Sequence, residues 1–289
     1  MRNKRLFLLW IFPIVCLQSC GKSGYTPPRF QEQNTTRDFA FMEDFQSETL
    51  FPPETPIVAP QTPPDVWDTD DVDISHVDPA RKLIAFTFDD APTRKLENLF
   101  AVFANFNENN PTCKASATFF FNGSLFDNEN TQLLHTALAL GFELGNHTHT
   151  HRDLTALSEQ DLHAEIAKTD EILQRADGKK YHLLRAPFGH VNETIKKLAP
   201  TPIIDWTIDT IDWTGASADE IYNTVMQNSF SGAIVLFHDG YTPTIEALKR
   251  LLPDLQDNGY QIVSVSQLAK IHNCHLQRGK VYIRARKQN

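Results

Sequence analysis

Residues 82–90 read KLIAFTFDD, and their interpretation decides the fold. Leu83, Ile84, Ala85, Phe86 and Phe88 make a short apolar run of β-prone residues, which suits a buried strand. Asp89 and Asp90 end it. Two ionised carboxylates side by side at the end of a buried strand repel each other. A metal relieves this by taking one as a ligand, and the other is left free as a base. The plain alternative is a solvated pair in a loop, which the apolar run directly before it weakens.

The same texture recurs downstream. ASATFFFNG (115–123), FELGNHTH (142–149), HLLRAP (182–187), TPIIDWT (201–207), GAIVLFHD (232–239) and YQIVSVSQL (260–268) read as further buried strands. Helices are expected over 129–140, 158–176, 191–199, 217–228 and 243–257. In 158–176, Leu162, Ile166 and Ile172–Leu173 share a face and Ser158 suits the N-cap. Seven short strands alternating with helices predict an α/β domain with a parallel sheet, and a barrel is compatible with that pattern. Barrel chemistry sits at strand C-terminal ends. Asp89 and Asp90, His147 to His151, Arg185, Asp209, Asp212, His238 and Asp239 all fall there. No glycine-rich phosphate loop follows any of these strands, so no nucleotide site is expected.

The histidines of NHTHTH (146–151) add to the metal reading. His147 and His151 are four apart, a spacing that points two imidazoles the same way on a helical turn. With one carboxylate from Asp89 or Asp90 they make three ligands with open positions, as hydrolytic zinc requires. A lone pair at this spacing is more often structural. RAPFG (185–189) supplies a cation, Arg185, able to orient a carboxylate by a bidentate contact. LFHD ends a strand with His238, which a nearby carboxylate, Asp209 or Asp212, would keep protonated as a general acid. Trp213 offers an aromatic wall suited to a sugar ring, although taken alone core packing is the better explanation.

TFDDAP, HTHTH, RAPFG, DTIDW and LFH occur in the order and approximate spacing of the polysaccharide deacetylase (NodB-homology) family, carbohydrate esterase family four, which residues 80 to 270 resemble. The resemblance implies a distorted (β/α) barrel of about seven parallel strands with a divalent metal, usually zinc. It makes Asp90, His147 and His151 the ligands, with His149 between them not ligating. Asp89 becomes the catalytic base, Arg185 its orienting cation, His238 the acid and Asp212 the carboxylate that tunes it. Trp213 and Leu236 would line the acetyl pocket. A backbone N–H near Ala91 and Pro92 is expected to help stabilise the oxyanion. The family usually has glycine where this chain has Ala91. A positive φ there would strain alanine by about 1 kcal/mol, and a negative φ would make the change nearly silent.

The ends of the chain carry different signals. Arg2, Lys4 and Arg5 precede a twelve-residue apolar run, Leu6 to Leu17, of signal-peptide size. LQSCG then resembles a bacterial lipobox, which implies cleavage before Cys20 and lipid on its thiol. The expected organisation is a lipoprotein signal peptide (1–19), a proline- and acid-rich stalk (20–79), a catalytic domain (80–272) and a basic C-terminal tail (273–289). Residues 21–80 hold three basic and twelve acidic residues, so much of the net charge of −9 resides there. No basic patch collects phosphates, and a nucleic-acid partner is not expected. Cys113 and Cys274 would remain after export, paired or as separate thiols.

The expected activity is metal-dependent removal of acetyl groups from N-acetylated sugars of an extracytoplasmic polysaccharide (peptidoglycan, poly-N-acetylglucosamine or a chitin-like polymer). The protein would be lipid-anchored to a membrane of the bacterial cell envelope. The rival readings are an O-acetyl esterase acting on xylan, a glycan-binding lipoprotein without turnover, and a non-haem iron oxygenase built on two histidines and a carboxylate.

Overall fold

A computed structural model describes residues 62–127 and 130–286. The expected signal peptide, Cys20 and the stalk up to residue 61 lie outside them. The elements in chain order are β1 (Lys82–Ala91), α1 (Leu96–Asn109), β2 (Thr118–Phe121), α2 (Gln132–Ala139), β3 (Glu143–Asn146), α3 (Glu159–Asp177), α4 (Glu193–Leu198), β4 (Ile203–Ile204), β5 (Ile208–Asp209), α5 (Ala218–Asn228), β6 (Ile234–His238), α6 (Thr242–Asp257), β7 (Tyr260–Val263), α7 (Val265–Ile271) and β8 (Val281–Tyr282).

β1 is the centre of the sheet. Its C-terminal half pairs with β2 on one side, its N-terminal half with β7, and β6 pairs along residues 85–89. β3 extends the sheet beyond β2, and β5 extends it beyond β6. All these pairings are parallel. From β3 the pairing continues by single bridges, Asn146 to Leu184 and Leu184 to Ile203. Ile203–Ile204 then runs on through Thr207, whose N–H donates to Ile234 O at 3.0 Å, into β5 and so back to β6. The β3–β2–β1–β6–β5 side therefore has regular ladders, and the β4 side has only bridges and two-residue strands. Among the described residues the ladders form a mostly parallel sheet of the expected distorted-barrel type without closing into a ring. HLLRAP contributes only Leu184 to pairing, where a full strand is expected.

The period-2 alternation of β1 fixes which side chains face which layer. Ile84, Phe86 and Phe88 join the core under the helices with Leu99, Phe100 and Phe103 of α1 and Leu248, Leu251 and Leu252 of α6. Phe88 is stacked between Phe119 at 4.8 Å and Phe237 at 5.2 Å. Leu83 and Ala85 belong to a second cluster with Phe120, Ile204 and Ile234. Thr87 and Asp89 continue that inner row. β6 alternates likewise, with Val235 and Phe237 in the first cluster and Ile234 in the second, so Leu236 and His238 share the inner face.

Three further stretches differ from the sequence reading. α1 is a fourteen-residue helix where none is expected. The last expected strand stops at Val263, because Ser264 and Gln267 form a capping box that starts α7. The segment read as a basic tail packs back on the fold: β8 pairs with β4, and Leu276 and Ala285 are buried. From the stalk, Val66 bridges Gln277, and Trp67 Nε1 donates to Ser266 Oγ at 2.9 Å. Cys113 and Cys274 are free thiols, not a disulfide.

Candidate functional site

The polar residues at the strand ends converge on one rim. Asp89 and His238 are register partners on the neighbouring strands β1 and β6. Asp90 follows Asp89 with φ 66°, which breaks the strand alternation and brings its carboxylate to the same side. Its Oδ1 lies 3.7 Å from His147 Nε2 and 3.4 Å from His151 Nε2. One ligand atom each from Asp90, His147 and His151 lie within 4.8 Å of one another. His147 Nδ1 is 2.9 Å from Arg185 O, so it donates there and the Nε2 lone pair is left facing the carboxylates. His151 is held below its ordinary pKa by burial and then by His147, against the pull of Asp90 and Asp89. A neutral imidazole is the ligating form. Two imidazoles and one carboxylate with free lone pairs fit a divalent ion with an open coordination position. His149 turns away and packs its ring against Gly123.

Arg185 is 1% exposed. Its Nη1 donates to both Asp89 Oδ1 and Thr87 Oγ1 at 2.8 Å, its Nε to Ile204 O at 3.0 Å, and its Nη2 to Asp205 O at 3.3 Å. The contact with Asp89 thus uses one nitrogen and is not bidentate. The guanidinium lies 4.2 Å over the Phe120 ring and 5.7 Å from Trp206. Burial pushes the Asp89 carboxyl up. The charge of Arg185, the neighbouring imidazoles of His147 and His238 and the Arg185 hydrogen bond outweigh it and hold Asp89 below the usual carboxylate range.

Opposite Asp89, His238 Nδ1 donates to Asp212 Oδ1 at 2.7 Å. Asp212 Oδ2 accepts the His238 N–H at 2.9 Å and the Thr244 hydroxyl at 2.7 Å. Burial lowers the imidazole's pKa, but the Asp212 bond and the charges of Asp89, Asp212 and Asp90 leave it raised. Of the two carboxylates in DTIDW only Asp212 meets His238; Asp209 Oδ1 accepts the Ile211 N–H at 2.8 Å in a local turn. Asp239 is buried. Its Oδ2 accepts the Thr93 N–H at 2.6 Å and its own N–H donates to Asp89 O at 2.8 Å, which ties the turn after β1 to β6. Burial raises its pKa to about 6. Leu236 is buried on the inner face, and Trp213 is 55% exposed. Ala91 is buried and is not among the residues with positive φ; Asp90 is.

Several participants are absent from the sequence reading. Thr87 is two residues before Asp89 on the same strand face, a signal that was available. Thr244 and Phe120 carry none. Phe188, with φ 62° and 58% exposed, places its ring edge-on to His151 at 4.8 Å.

Residues 76–201 match the polysaccharide deacetylase family. The chain is 32% identical over 195 residues to the peptidoglycan-N-acetylmuramic acid deacetylase PdaC of Bacillus subtilis, covering 68% of this chain and 40% of that protein. It is 34% identical over 209 residues to a peptidoglycan-N-acetylglucosamine deacetylase of Bacillus cereus, covering 65% of this chain and 89% of that protein. Among solved structures, T48 deacetylase with substrate superposes with a TM-score of 0.65 at 29% identity, covering 71% of this chain and 99% of that one. The chain therefore belongs to the polysaccharide deacetylase family, carbohydrate esterase family four.

Proposed function

We propose that this chain hydrolyses N-acetyl groups from the sugars of an extracytoplasmic polysaccharide, with peptidoglycan the first candidate, and releases acetate. The observation that carries the reading is the arrangement of a buried, arginine-paired Asp89 and an Asp212-bound His238 on adjacent strands, beside the convergent Asp90, His147 and His151. The peptidoglycan deacetylases to which the chain is similar support the substrate class.

Asp89, held ionised beside Arg185, accepts a proton from the water that attacks the acetamide carbonyl. His238 gives a proton from Nε2 to the departing amine, because its Nδ1 is engaged by Asp212. Asp212 is a positioning residue that favours the imidazolium. A divalent ion on Asp90, His147 and His151, zinc being the best match for these donors, would supply Lewis acidity and lower the pKa of water towards roughly 7. Leu236 at the inner wall and Trp213 at the rim are assigned to the acetyl group and the sugar ring. With lipid on Cys20, the domain would work at the cell envelope, tethered to a membrane.

The test is acetate release from N-acetylated peptidoglycan by the zinc-supplemented full chain, with acetylxylan in parallel. Asp89→Asn should abolish release and keep the metal, whereas His147→Ala should lose the metal. Near-native acetate release by Asp89→Asn would refute the assignment of the base. Release from acetylxylan alone would refute the N-acetyl reading.

A further inference from the structure

The loop that carries the two candidate histidine ligands is conformationally costly. Thr148 has φ 68° and His151 φ 55°, a region that a β-branched residue rarely enters. Such a backbone persists only where its surroundings over-determine it. Helix α3 supplies much of that restraint. Its inward face holds Leu162, Glu165, Ile166, Thr169, Asp170 and Leu173, so two carboxylates occupy an otherwise apolar and threonine stripe. Both are buried, at 7% and 5% exposure.

Each carboxylate reaches the loop. Glu165 Oε2 accepts the Thr150 N–H at 2.7 Å, and Oε1 accepts the Thr150 hydroxyl at 2.6 Å. Thr150 immediately precedes His151. Asp170 Oδ1 accepts from Asn146 Nδ2 at 2.9 Å, and Asn146 Oδ1 accepts the Thr148 N–H at 2.8 Å. His182 Nδ1 holds Asp170 from behind at 2.9 Å. Burying a carboxylate is unfavourable unless its acceptors are filled; the loop fills both oxygens of Glu165 and, together with His182, Oδ1 of Asp170. Neither carboxylate touches the candidate ligands or the space in front of them.

We propose that Glu165, with Asp170 supporting it through Asn146, is a positioning residue that sets the metal affinity of the site by holding the 146–151 loop with its left-handed Thr148 and His151. The proposal rests on the reading of Asp90, His147 and His151 as metal ligands. Glu165→Leu keeps the helix face packed and removes both acceptors. Glu165→Gln keeps an acceptor for the Thr150 N–H and presents a donor to the Thr150 hydroxyl oxygen.

The experiment titrates Co²⁺ into the metal-free full chain and reads the dissociation constant and the visible spectrum. Glu165→Leu should weaken Co²⁺ binding 10- to 100-fold, as loss of partners behind metal ligands typically does, and alter the spectrum; Glu165→Gln should stay within about threefold of wild type. Thr150→Val, at an exposed position, removes only the hydroxyl bond and should weaken binding several-fold, which decides the matter if Glu165→Leu does not fold. Wild-type Co²⁺ affinity in Glu165→Leu, or in Thr150→Val where that variant decides, overturns the proposal. A wild-type chain that takes up no Co²⁺ overturns the metal reading itself and the proposal with it.

Discussion

Replacing Arg185 by Met tests whether the interior of the barrel holds a charge pair that works only as a unit. The guanidinium is almost fully buried and gives hydrogen bonds to Thr87, Asp89, Ile204 and Asp205. Its removal strands Asp89, itself 3% exposed, without a compensating cation. Breaking a buried ion pair from one side costs about 3–5 kcal/mol. Asp89→Asn should cost less, about 1–3 kcal/mol, because the amide oxygen still accepts from Nη1. In the double variant neither charge is buried, so its cost should fall short of the two single costs combined by about 2 kcal/mol. The assay is urea unfolding of the metal-free protein at pH 7. At a slope of about 3 kcal/mol per M, Arg185→Met should lower the midpoint by about 1–2 M. A shift below about 0.3 M, or additivity within about 0.5 kcal/mol, would refute the reasoning.

Other outcomes follow from the same structure. His182 is buried between Asp170 and Asp177; burial lowers its pKa, but their hydrogen bonds and charges raise it to about 9 from 6.5. Because the folded value is the higher one, this stabilisation is complete below pH 6.5 and fades as pH rises through 9. Relative to His182→Gln, the wild type should lose about 3 kcal/mol of stability across that window, and parallel urea midpoints from pH 6 to 10 would contradict it. Ala91→Gly should leave activity unchanged and cost about 0.5–1 kcal/mol in thermal unfolding, whereas a gain would mean that alanine is strained there. Asp212→Asn should shift the alkaline limb of the kcat/KM profile down by at least about one pH unit, and an unmoved limb would assign the acid elsewhere.

Much of this architecture was legible because the relevant signals are local. The run 82–90 announces both its strand and its inner row, since Asp89 lies two positions beyond Thr87 and four beyond Ala85 on one face. Ser158 caps α3 as expected, accepting the Asp161 N–H. The stripe of Leu96, Leu99, Phe100 and Phe103 was equally readable, but Lys95 gives α1 no side-chain cap and asparagines crowd its polar face. HLLRAP failed as a strand because Pro187 ends it and pairing survives only at Leu184. The left-handed backbone at Asp90, Thr148 and His151 was not readable: Asp and His enter that region more often than most residues but still too rarely to mark a position, and a β-branched threonine argues against it. The same holds for the carboxylates of α3, where the 3.6-residue period marks an inward face but cannot say what a buried Glu165 will meet.

The pairing of β1 has a consequence for how the protein reaches its native state. β1 comes first in the sheet by sequence, yet two of its three neighbours, β6 and β7, pair with it from about 150 and about 180 residues later. High contact order of this kind slows folding and favours aggregation of partly formed sheets. A chain cut after α5 lacks His238, the proposed general acid, together with both of those neighbours, so the proposed catalytic set and a completed sheet arrive in the same event. On that proposal, nascent chains would stay inert until β6 and β7 are delivered.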